Sequence, residues 1–206
     1  MRSGRKTDRR VKRRLASELE KLRGELEALI GEVYEGERKV LVHGEGRVGA
    51  RVMLIGEAPG EQESLKRRPF VGKAGKNLDE FLELAGIDRG EMYVSNAVKF
   101  RPTKLSAAGR VVNRPPTREE VKLFLPWLMR EIELVAPEVV VTLGNVPLRA
   151  LVGPKAVIGD VHGQFMDLNG ARLYPMYHPA SLIYNPALRA VYAQDVEYLA
   201  EWLKGK

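Results

Sequence analysis

The sequence predicts an α/β fold in which a parallel β-sheet is covered by helices on both faces. Short apolar runs rich in β-branched residues alternate along the chain with longer segments whose apolar residues recur every three to four positions. Strands that alternate with helices in this way are typical of a parallel sheet, because parallel neighbours need a crossover connection. The chain has 206 residues, which is enough for one domain with a sizeable core.

Residues 1–36 are predicted to form a basic arm and an amphipathic helix, and residues 37–206 to form the α/β domain. Residues 1–14 hold eight lysines and arginines against one acid, Asp8. We expect this arm to be disordered at its start and to act either in phosphate contact or as a solubilising tail. The helix carries an apolar stripe with 4-3-4-3-4 spacing, formed by Leu15, Leu19, Leu22, Leu26, Leu29 and Val33. The stripe spans fewer than three heptads, so we expect it to pack on the domain rather than to dimerise.

Four strands and four helices are predicted within the domain. The strands are the apolar runs at residues 50–55, 92–98, 138–143 and 173–177. The helices are the amphipathic segments at residues 77–85, 117–132, 145–151 and 186–203. Thr117 and Glu120 have the spacing of a capping box, which predicts the start of the second of these helices. His43 is predicted to be a loop residue, and residues 101–116, rich in Pro, Lys and Arg, are predicted to lack regular structure.

Polar side chains follow three of the predicted strands at the ends where open parallel sheets bind ligands. Glu57 follows the first strand, Asn96 ends the second and His178 follows the fourth, while Phe70 comes from the loop after the first. A parallel sheet would bring these four side chains to one rim. Taken singly, Glu57, Asn96 and Phe70 also fit structural roles, whereas a His-Pro turn at a strand end has no evident packing role. Their joint placement favours a functional cleft.

These four side chains match a flat heterocycle attached to a sugar. The carboxamide of Asn96 presents a donor and an acceptor side by side, as a nucleobase edge requires, and Phe70 offers a stacking face. The imidazole of His178 can donate a hydrogen bond to an oxygen that gains negative charge, and the carboxylate of Glu57 can orient water and stabilise a cation. The set favours cleavage of an N-glycosidic bond in DNA after the base has been flipped out of the helix.

Composition narrows the classes of function. The chain has no cysteine, which excludes disulfides, a thiolate nucleophile and a thiolate-held metal, and we predict neither a metal nor a cofactor. No apolar run is long enough to span a bilayer, and the basic N-terminus lacks the apolar core of a secretory signal, so we expect a cytoplasmic location. The net charge of +7 favours a polyanionic partner, although a merely basic protein has the same charge.

The chain resembles the family-4 uracil-DNA glycosylases in four segments that stand in the family's order. These are residues 56–63 (GEAPGEQE), 69–75 (PFVGKAG), 94–99 (VSNAVK) and 177–180 (YHPA). The resemblance extends from about residue 42 to residue 203. It implies a three-layer α/β/α sandwich with a central four-stranded parallel sheet. It also implies a monofunctional DNA-repair enzyme that flips deoxyuridine out of DNA, hydrolyses the N-glycosidic bond and leaves an abasic site.

The resemblance also assigns roles to the residues at matching positions. Glu57 falls in the water-activating motif, and His178 matches the residue that stabilises developing charge at O2 of uracil. Phe70 matches the residue that stacks on uracil, and Asn96 matches the one that reads its edge. The other expected substrate-binding residues are Gly56, Ala58 and Gly60.

Three positions bear on contact with DNA and on base selection. Ala180 and Ser181 fall in the loop that the family directs toward DNA. Gly60 stands where other uracil-DNA glycosylases use a tyrosine to exclude the thymine methyl group, so we expect Glu61 or Glu63 to screen the base instead.

The chain departs from the family in its cysteines. Family-4 enzymes usually hold a [4Fe–4S] cluster through four cysteines, and Phe100 and Phe124 stand at two of those positions here. We expect the two rings to fill that volume and the enzyme to be a cluster-free variant.

The second departure is the length of residues 101–116. The segment is similar in length to the family-X loop, whose histidine bonds covalently to the sugar. Its nearest counterpart here is Asn113, a poor nucleophile, so we expect no covalent complex. Its cations are expected either to contact phosphates or to be simply solvated; they are Arg101, Lys104, Arg110 and Arg114.

The expected partner is uracil-containing DNA, single- or double-stranded, bound by a monomer at the nucleoid. We expect no lysine placed to form a Schiff base, and so no lyase step. A glycosylase with a shifted preference, such as hypoxanthine, and a damaged-DNA-binding module without chemistry remain open. A nucleotide-binding α/β protein is disfavoured, because residues 56–63 contain neither a P-loop nor a G-x-G-x-x-G pattern.

Overall fold

The computed structural model describes the backbone of residues 3–205 and the side chains of residues 10–205. Its strands are β1 (Glu45–Gly46), β2 (Val52–Gly56), β3 (Tyr93–Asn96), β4 (Thr103–Leu105), β5 (Val111–Asn113), β6 (Val139–Leu143), β7 (Met166–Leu168) and β8 (Ala171–Met176). Its α-helices are α1 (Ser3–Val33), α2 (Glu61–Lys66), α3 (Lys73–Leu84), α4 (Arg118–Val135), α5 (Asn145–Val152), α6 (Ile158–Val161), α7 (Ser181–Tyr184) and α8 (Leu188–Lys204). No helix in this described part of the chain is both long and apolar enough to cross a membrane.

The main sheet confirms the predicted parallel core. Its order is β1-β3-β2-β6-β8-β7, and the four central strands are parallel to one another. In the register of the sheet, Leu54 of β2 lies between Val94 of β3 and Val141 of β6. The edge strands β1 and β7 are antiparallel to their neighbours and were not predicted. With two and three residues, they are too short to show a periodic pattern.

Both faces of the sheet are covered, which gives three layers. Leu54 points to the face that packs on α3 and α8, through residues such as Phe81 and Val196. Met53 and Ile55, its neighbours in β2, point to the opposite face, which packs on α1, α4 and α5. All five residues of β2 are buried. A strand buried on both sides reads as a continuous apolar run, as the sequence does here.

Helix α1 begins at Ser3, so the basic residues from that point on lie on a helix and not in a disordered arm. Met1 and Arg2 lie outside the described residues. The apolar stripe packs on the domain as expected, with Leu19, Leu22 and Leu26 buried. Ile30 is the next buried residue and takes the place predicted for Leu29. An ion pair of 2.7 Å between Glu25 and Arg130 joins α1 to α4.

Residues 101–116 form a β-hairpin, so the prediction that they lack regular structure was wrong. Strands β4 and β5 pair antiparallel, and the turn between them closes through a 2.8 Å bond from Ser106 N to Arg110 O. Gly109 lies in the turn with φ of +69°, a conformation that favours glycine. These strands have three residues each and are flanked by prolines, so the alternation of apolar and polar residues is too short to be recognised in the sequence.

Helix α4 begins with the predicted capping box and also anchors the hairpin. The Thr117 hydroxyl accepts from Glu120 N at 3.2 Å, and the Glu120 carboxylate accepts from Thr117 N at 2.7 Å. The same carboxylate receives two hydrogen bonds from the Arg114 guanidinium, at 2.7 and 2.6 Å. Arg114 also donates to Thr103 O at 3.1 Å. The hairpin is therefore fixed at its base to the N-terminus of α4.

Candidate active site

A cavity of about 360 Å³ opens at the carboxyl ends of the parallel strands. Most of the residues that the sequence predicted for substrate contact line it: Ala58, Gly60, Phe70, Asn96, His178 and Ala180. Gly56 pairs with Asn96 across neighbouring strands and does not itself line the cavity. Glu57 and Ser181 adjoin lining residues in sequence without lining the cavity themselves. The parallel register therefore gathers on one rim the residues that the sequence placed at separate strand ends.

The ring of Phe70 lies over Gly56. A Cβ atom at Gly56 would lie 2.5 Å from both Phe70 Cζ and Asn96 Oδ1, so this close approach requires glycine. Phe70 has a left-handed backbone with φ of +52°, which is unusual for an aromatic residue. Arg89 stabilises that bend by donating to Phe70 O at 3.1 Å. The aromatic ring is thus held in one place at the cavity wall.

Asn96 is held by an ion pair buried behind it. Lys99 Nζ donates to Asn96 O at 2.8 Å and to Glu131 Oε2 at 2.6 Å. Lys99 is 2% exposed and Glu131 is 5% exposed. Glu131 also accepts from the hydroxyls of Tyr93 and Ser95, each at 2.9 Å. This network was not predicted from the sequence. The signal was a lysine directly after a buried strand, which needs a buried partner.

His178 is poised as a neutral hydrogen-bond donor. Its Nδ1 accepts a 3.1 Å bond from Ala180 N, which places the proton of the neutral ring on Nε2. Loss of hydration in the cavity wall lowers the pKa of His178 to about 4, against a weaker opposing effect from the Glu63 carboxylate. Its ring centroid lies 6.1 Å from that of Phe70. A Cβ atom at Gly144 would lie 3.2 Å from His178 Cβ, so this glycine at the start of α5 lets the imidazole sit close to the sheet.

The depressed pKa of His178 predicts a loss of stability in mild acid. The pKa is about 4 in the folded protein and near 6.5 in the unfolded chain, so the unfolded chain binds the extra proton between these values. The free energy of unfolding should therefore fall as pH drops from about 6.5 to about 4. We expect His178→Ala to show a shallower fall in urea melts over this window. Parallel profiles for the two proteins would contradict this expectation.

Glu63 fastens together the two loops that form the cavity. Its carboxylate accepts from Gly60 N at 3.2 Å, Val71 N at 3.0 Å and Gly72 N at 2.7 Å. This structural role was not predicted. A carboxylate occupied by three backbone amides is not free to screen a base, which leaves Glu61 of the two acids first considered. Glu61 pairs with Arg101 at 3.2 Å.

Glu57 is half-buried at the end of β2. Its backbone carbonyl accepts a 3.0 Å bond from Val98 N, which fixes the strand end against β3. Burial raises the pKa of its carboxyl above the ordinary value of 4.5. A strand-end carboxyl with a raised pKa, next to a cavity, is typical of a group that takes up a proton during a reaction.

The predicted DNA-contacting cations divide into two kinds. Arg101 and Arg114 are engaged: Arg101 Nε donates to Asn113 Oδ1 at 2.6 Å, and Arg114 pairs with Glu120. Lys104 and Arg110 are exposed on the hairpin. Asn113, at the base of the hairpin, lines the cavity, so the segment that carries these residues borders the site.

One lysine lines the cavity. Lys73, the first residue of α3, lies at its rim and is exposed. A lysine that forms Schiff bases is normally desolvated or placed beside another cation. An exposed Lys73 at a helix N-terminus is better placed to meet a phosphate.

Comparison with known proteins agrees with this architecture. The family description "Uracil DNA glycosylase superfamily" matches residues 43–203. The chain belongs to the uracil-DNA glycosylase superfamily. It is 38% identical over 178 residues to the type-4 uracil-DNA glycosylase of Saccharolobus solfataricus, covering 82% of this chain and 79% of that one. It is also 38% identical over 171 residues to the type-4 enzyme of Thermotoga maritima, covering 81% of this chain and 85% of that one.

A solved structure shares the fold of this superfamily member. The crystal structure of SMUG2 from Pedobacter heparinus superposes with a TM-score of 0.51 at 14% identity, covering 76% of this chain and 77% of that one. At that identity the likeness concerns the fold alone. It agrees with the α/β architecture predicted from the alternation of strands and helices.

The residues present do not fit the iron–sulfur cluster of the family-4 enzymes. The chain has no cysteine and so offers no thiolate ligand. Phe100 and Phe124 pack edge to face with ring centroids 5.5 Å apart, and Tyr34 packs on Phe100 at 5.3 Å. Both phenylalanines are buried beside Leu26 and Ile30 of α1. Among the described residues, no group of three His, Asp or Glu side chains is placed to hold a metal ion. Apolar packing thus joins α1 to α4 at this place.

Proposed function

We propose that the protein is a monofunctional uracil-DNA glycosylase acting in base-excision repair. The observation that carries the proposal is the neutral His178, whose Nδ1 is occupied by Ala180 N and whose Nε2 is left as a donor in the cavity shared with Phe70 and Asn96. The names of the type-4 relatives support the same activity.

In this proposal, the cavity reads one nucleobase. Uracil, flipped out of the DNA, stacks on Phe70 and meets the carboxamide of Asn96 with its N3–H and O4 edge. Cytosine reverses the donor and acceptor on that edge, so a carboxamide in a fixed orientation rejects it. The bond from Lys99 to Asn96 O fixes the main chain of this residue, and the missing Cβ at Gly56 leaves the space that the carboxamide occupies.

The charge of the departing base is stabilised by His178. As the glycosidic bond lengthens, the sugar becomes cationic and the uracil anionic. Nε2–H of His178 donates to O2 of the leaving base in a wall that excludes water, where a hydrogen bond to an anion is strong. Glu57 orients the water that captures the sugar cation and favours that cation electrostatically.

The raised pKa of Glu57 predicts the acid side of the pH–rate profile. Excision should decline as pH falls through the pKa of Glu57, at a pH above 4.5, because only the carboxylate accepts a proton from water. We expect Glu57→Gln to keep measurable excision, since a carboxamide oxygen also accepts a hydrogen bond from water. The acid decline should be absent in that variant. Single-turnover rates between pH 4 and 8 check this, and an unchanged decline would remove Glu57 from the role.

The proposal is tested by excision on labelled oligonucleotides that carry one uracil, unpaired or paired with G or A. Thymine, cytosine and hypoxanthine serve as control bases, and alkali follows the reaction. Strand cleavage at uracil that requires alkali supports a monofunctional glycosylase. Cleavage without alkali would indicate a lyase step, which Lys73→Ala would then test. Binding without cleavage would support a damage-binding module instead.

We also propose that the enzyme acts as a monomer at the nucleoid. The apolar stripe of α1 supports this, because Leu19, Leu22 and Leu26 are covered by the protein's own domain and leave little for a second copy to bind. Gel filtration with light scattering tests the oligomeric state.

A further inference from the structure

The β4–β5 hairpin presents an apolar pair to solvent. Leu105 is 71% exposed and Val111 is 57% exposed, and the two are direct partners in the antiparallel register. Direct partners project from the same face of a two-stranded ribbon. The hairpin therefore carries a continuous apolar patch rather than two scattered side chains.

The patch lies on the face of the hairpin that borders the cavity. Asn113 pairs with Thr103, two positions along from the Leu105–Val111 pair, and residues two apart in a strand share a face. Asn113 lines the cavity, and a Cβ atom at Gly60 would lie 3.7 Å from its Nδ2. Two residues of strand span about 7 Å, so the apolar pair begins about one nucleotide beyond the cavity.

The charge of the hairpin fits a nucleic acid. Residues 101–116 contain four cations and no acid. Lys104 and Arg110 are exposed beside the apolar pair. Lys104 pairs with Val112 and so leaves the ribbon on the face opposite the apolar pair, from which its long side chain reaches a phosphate while the apolar pair contacts sugars and bases.

The hairpin is also rigid enough to hold its shape before binding. Its turn is closed by bonds from Ser106 N to Arg110 O and from Arg110 N to Ser106 Oγ, at 2.8 and 3.1 Å. Its base is fixed by the paired Arg114 and Glu120. A preformed arm loses little conformational freedom on binding, which favours a contact that adds affinity.

We propose that this hairpin is a second DNA-contacting arm, which packs Leu105 and Val111 against duplex DNA beside the flipped nucleotide. Lys104 and Arg110 bind the flanking phosphates. A two-stranded ribbon of this size fits a DNA groove. The inference rests on the proposed function and adds to it a surface that holds the duplex outside the cavity.

The test compares Leu105→Ser/Val111→Ser with wild type in single-turnover excision from a 30-base-pair duplex containing one uracil. The enzyme concentration at half-maximal rate should rise at least about tenfold, because the variant loses the burial of two apolar side chains. The limiting rate at saturating enzyme should stay within about twofold, because neither residue touches the base. The matched control is Val33→Ser/Leu84→Ser, which removes a valine and a leucine that are 51% and 76% exposed on α1 and α3.

Equal half-maximal concentrations for variant and wild type would overturn the proposal. A fall in the limiting rate alone would also overturn the proposal. The same holds if the half-maximal concentration rises equally in the control variant. Fluorescence anisotropy measures the affinity for the same duplex carrying a stable abasic analogue. This measurement does not depend on catalysis. If the wild type binds this duplex but excises no uracil, the glycosylase activity is refuted. A tenfold difference in affinity between wild type and the Leu105→Ser/Val111→Ser variant would still support the DNA-contacting role of the hairpin.

Discussion

Replacing His178 with alanine is expected to lower the limiting rate of uracil excision by about 10²- to 10³-fold, the usual effect of removing one hydrogen-bond donor to an oxyanion. The reason lies in the ring's surroundings. Nδ1 is occupied by Ala180 N, so Nε2–H is the remaining donor of a ring that lines the cavity. The lowered pKa of about 4 keeps the ring neutral at the pH of the reaction. A neutral donor stabilises the uracil anion without transferring its proton fully.

The effect should fall on the chemical step and not on DNA binding. Single-turnover rates at saturating enzyme measure the chemical step, and fluorescence anisotropy with an abasic duplex measures DNA binding. His43→Ala is the matched control, because His43 is a partly buried histidine that pairs with Glu27 at 3.0 Å and does not line the cavity. An unaltered limiting rate in His178→Ala, or an equal loss in the control, would contradict the assigned role.

The sequence predicted the parallel core and the rim of the cavity for the same physical reason. Strands such as β2 and β6 are buried on both faces, so their residues form almost entirely apolar runs, and each run is closed by a glycine. Polar residues at the carboxyl ends of parallel strands, such as Asn96 at the end of β3 and His178 after β8, must then lie at one edge of the sheet. Position along the chain was enough to place them together.

Contacts that depend on side-chain orientation were not predictable in the same way. Glu63 was one of two acids expected to screen the base, but its carboxylate turns toward three backbone amides that only the folded loops bring together. Arg114 was expected either to contact a phosphate or to be solvated, but it pairs with Glu120 because the hairpin folds back on α4. The hairpin itself consists of two three-residue strands, too short for a period to emerge.

The buried Lys99–Glu131 pair supplies the largest expected effect on stability. Lys99→Met should leave the carboxylate of Glu131 buried without its cation, and should cost about 3–5 kcal/mol of unfolding free energy. In a chain of this size, that corresponds to a fall in melting temperature of about 10 °C. Thermal unfolding followed by circular dichroism measures it. If the free energy of unfolding falls by less than about 1 kcal/mol, which is typical of an exposed ion pair, the stabilising role of the buried pair is contradicted.

A double substitution separates the stability of this pair from its effect on Asn96. In Lys99→Met/Glu131→Gln no charge is buried. The carboxamide oxygen of the glutamine accepts from one of the two hydroxyls of Tyr93 and Ser95, and its NH2 group donates to the other. The melting temperature of the double variant should therefore recover most of the decrease seen in Lys99→Met.

The bond from Lys99 to Asn96 O does not return in the double variant, so excision should remain lower than in wild type by about tenfold or more, because small displacements of a positioning group reduce rates strongly. Discrimination between uracil and cytosine should narrow in parallel, since it depends on a carboxamide held in one orientation. A double variant that recovers both its melting temperature and its full excision rate would show that the pair stabilises the sheet without orienting Asn96. Recovery of stability alone would place this buried lysine, 2% exposed and 2.8 Å from the main chain of Asn96, among the residues that position the site.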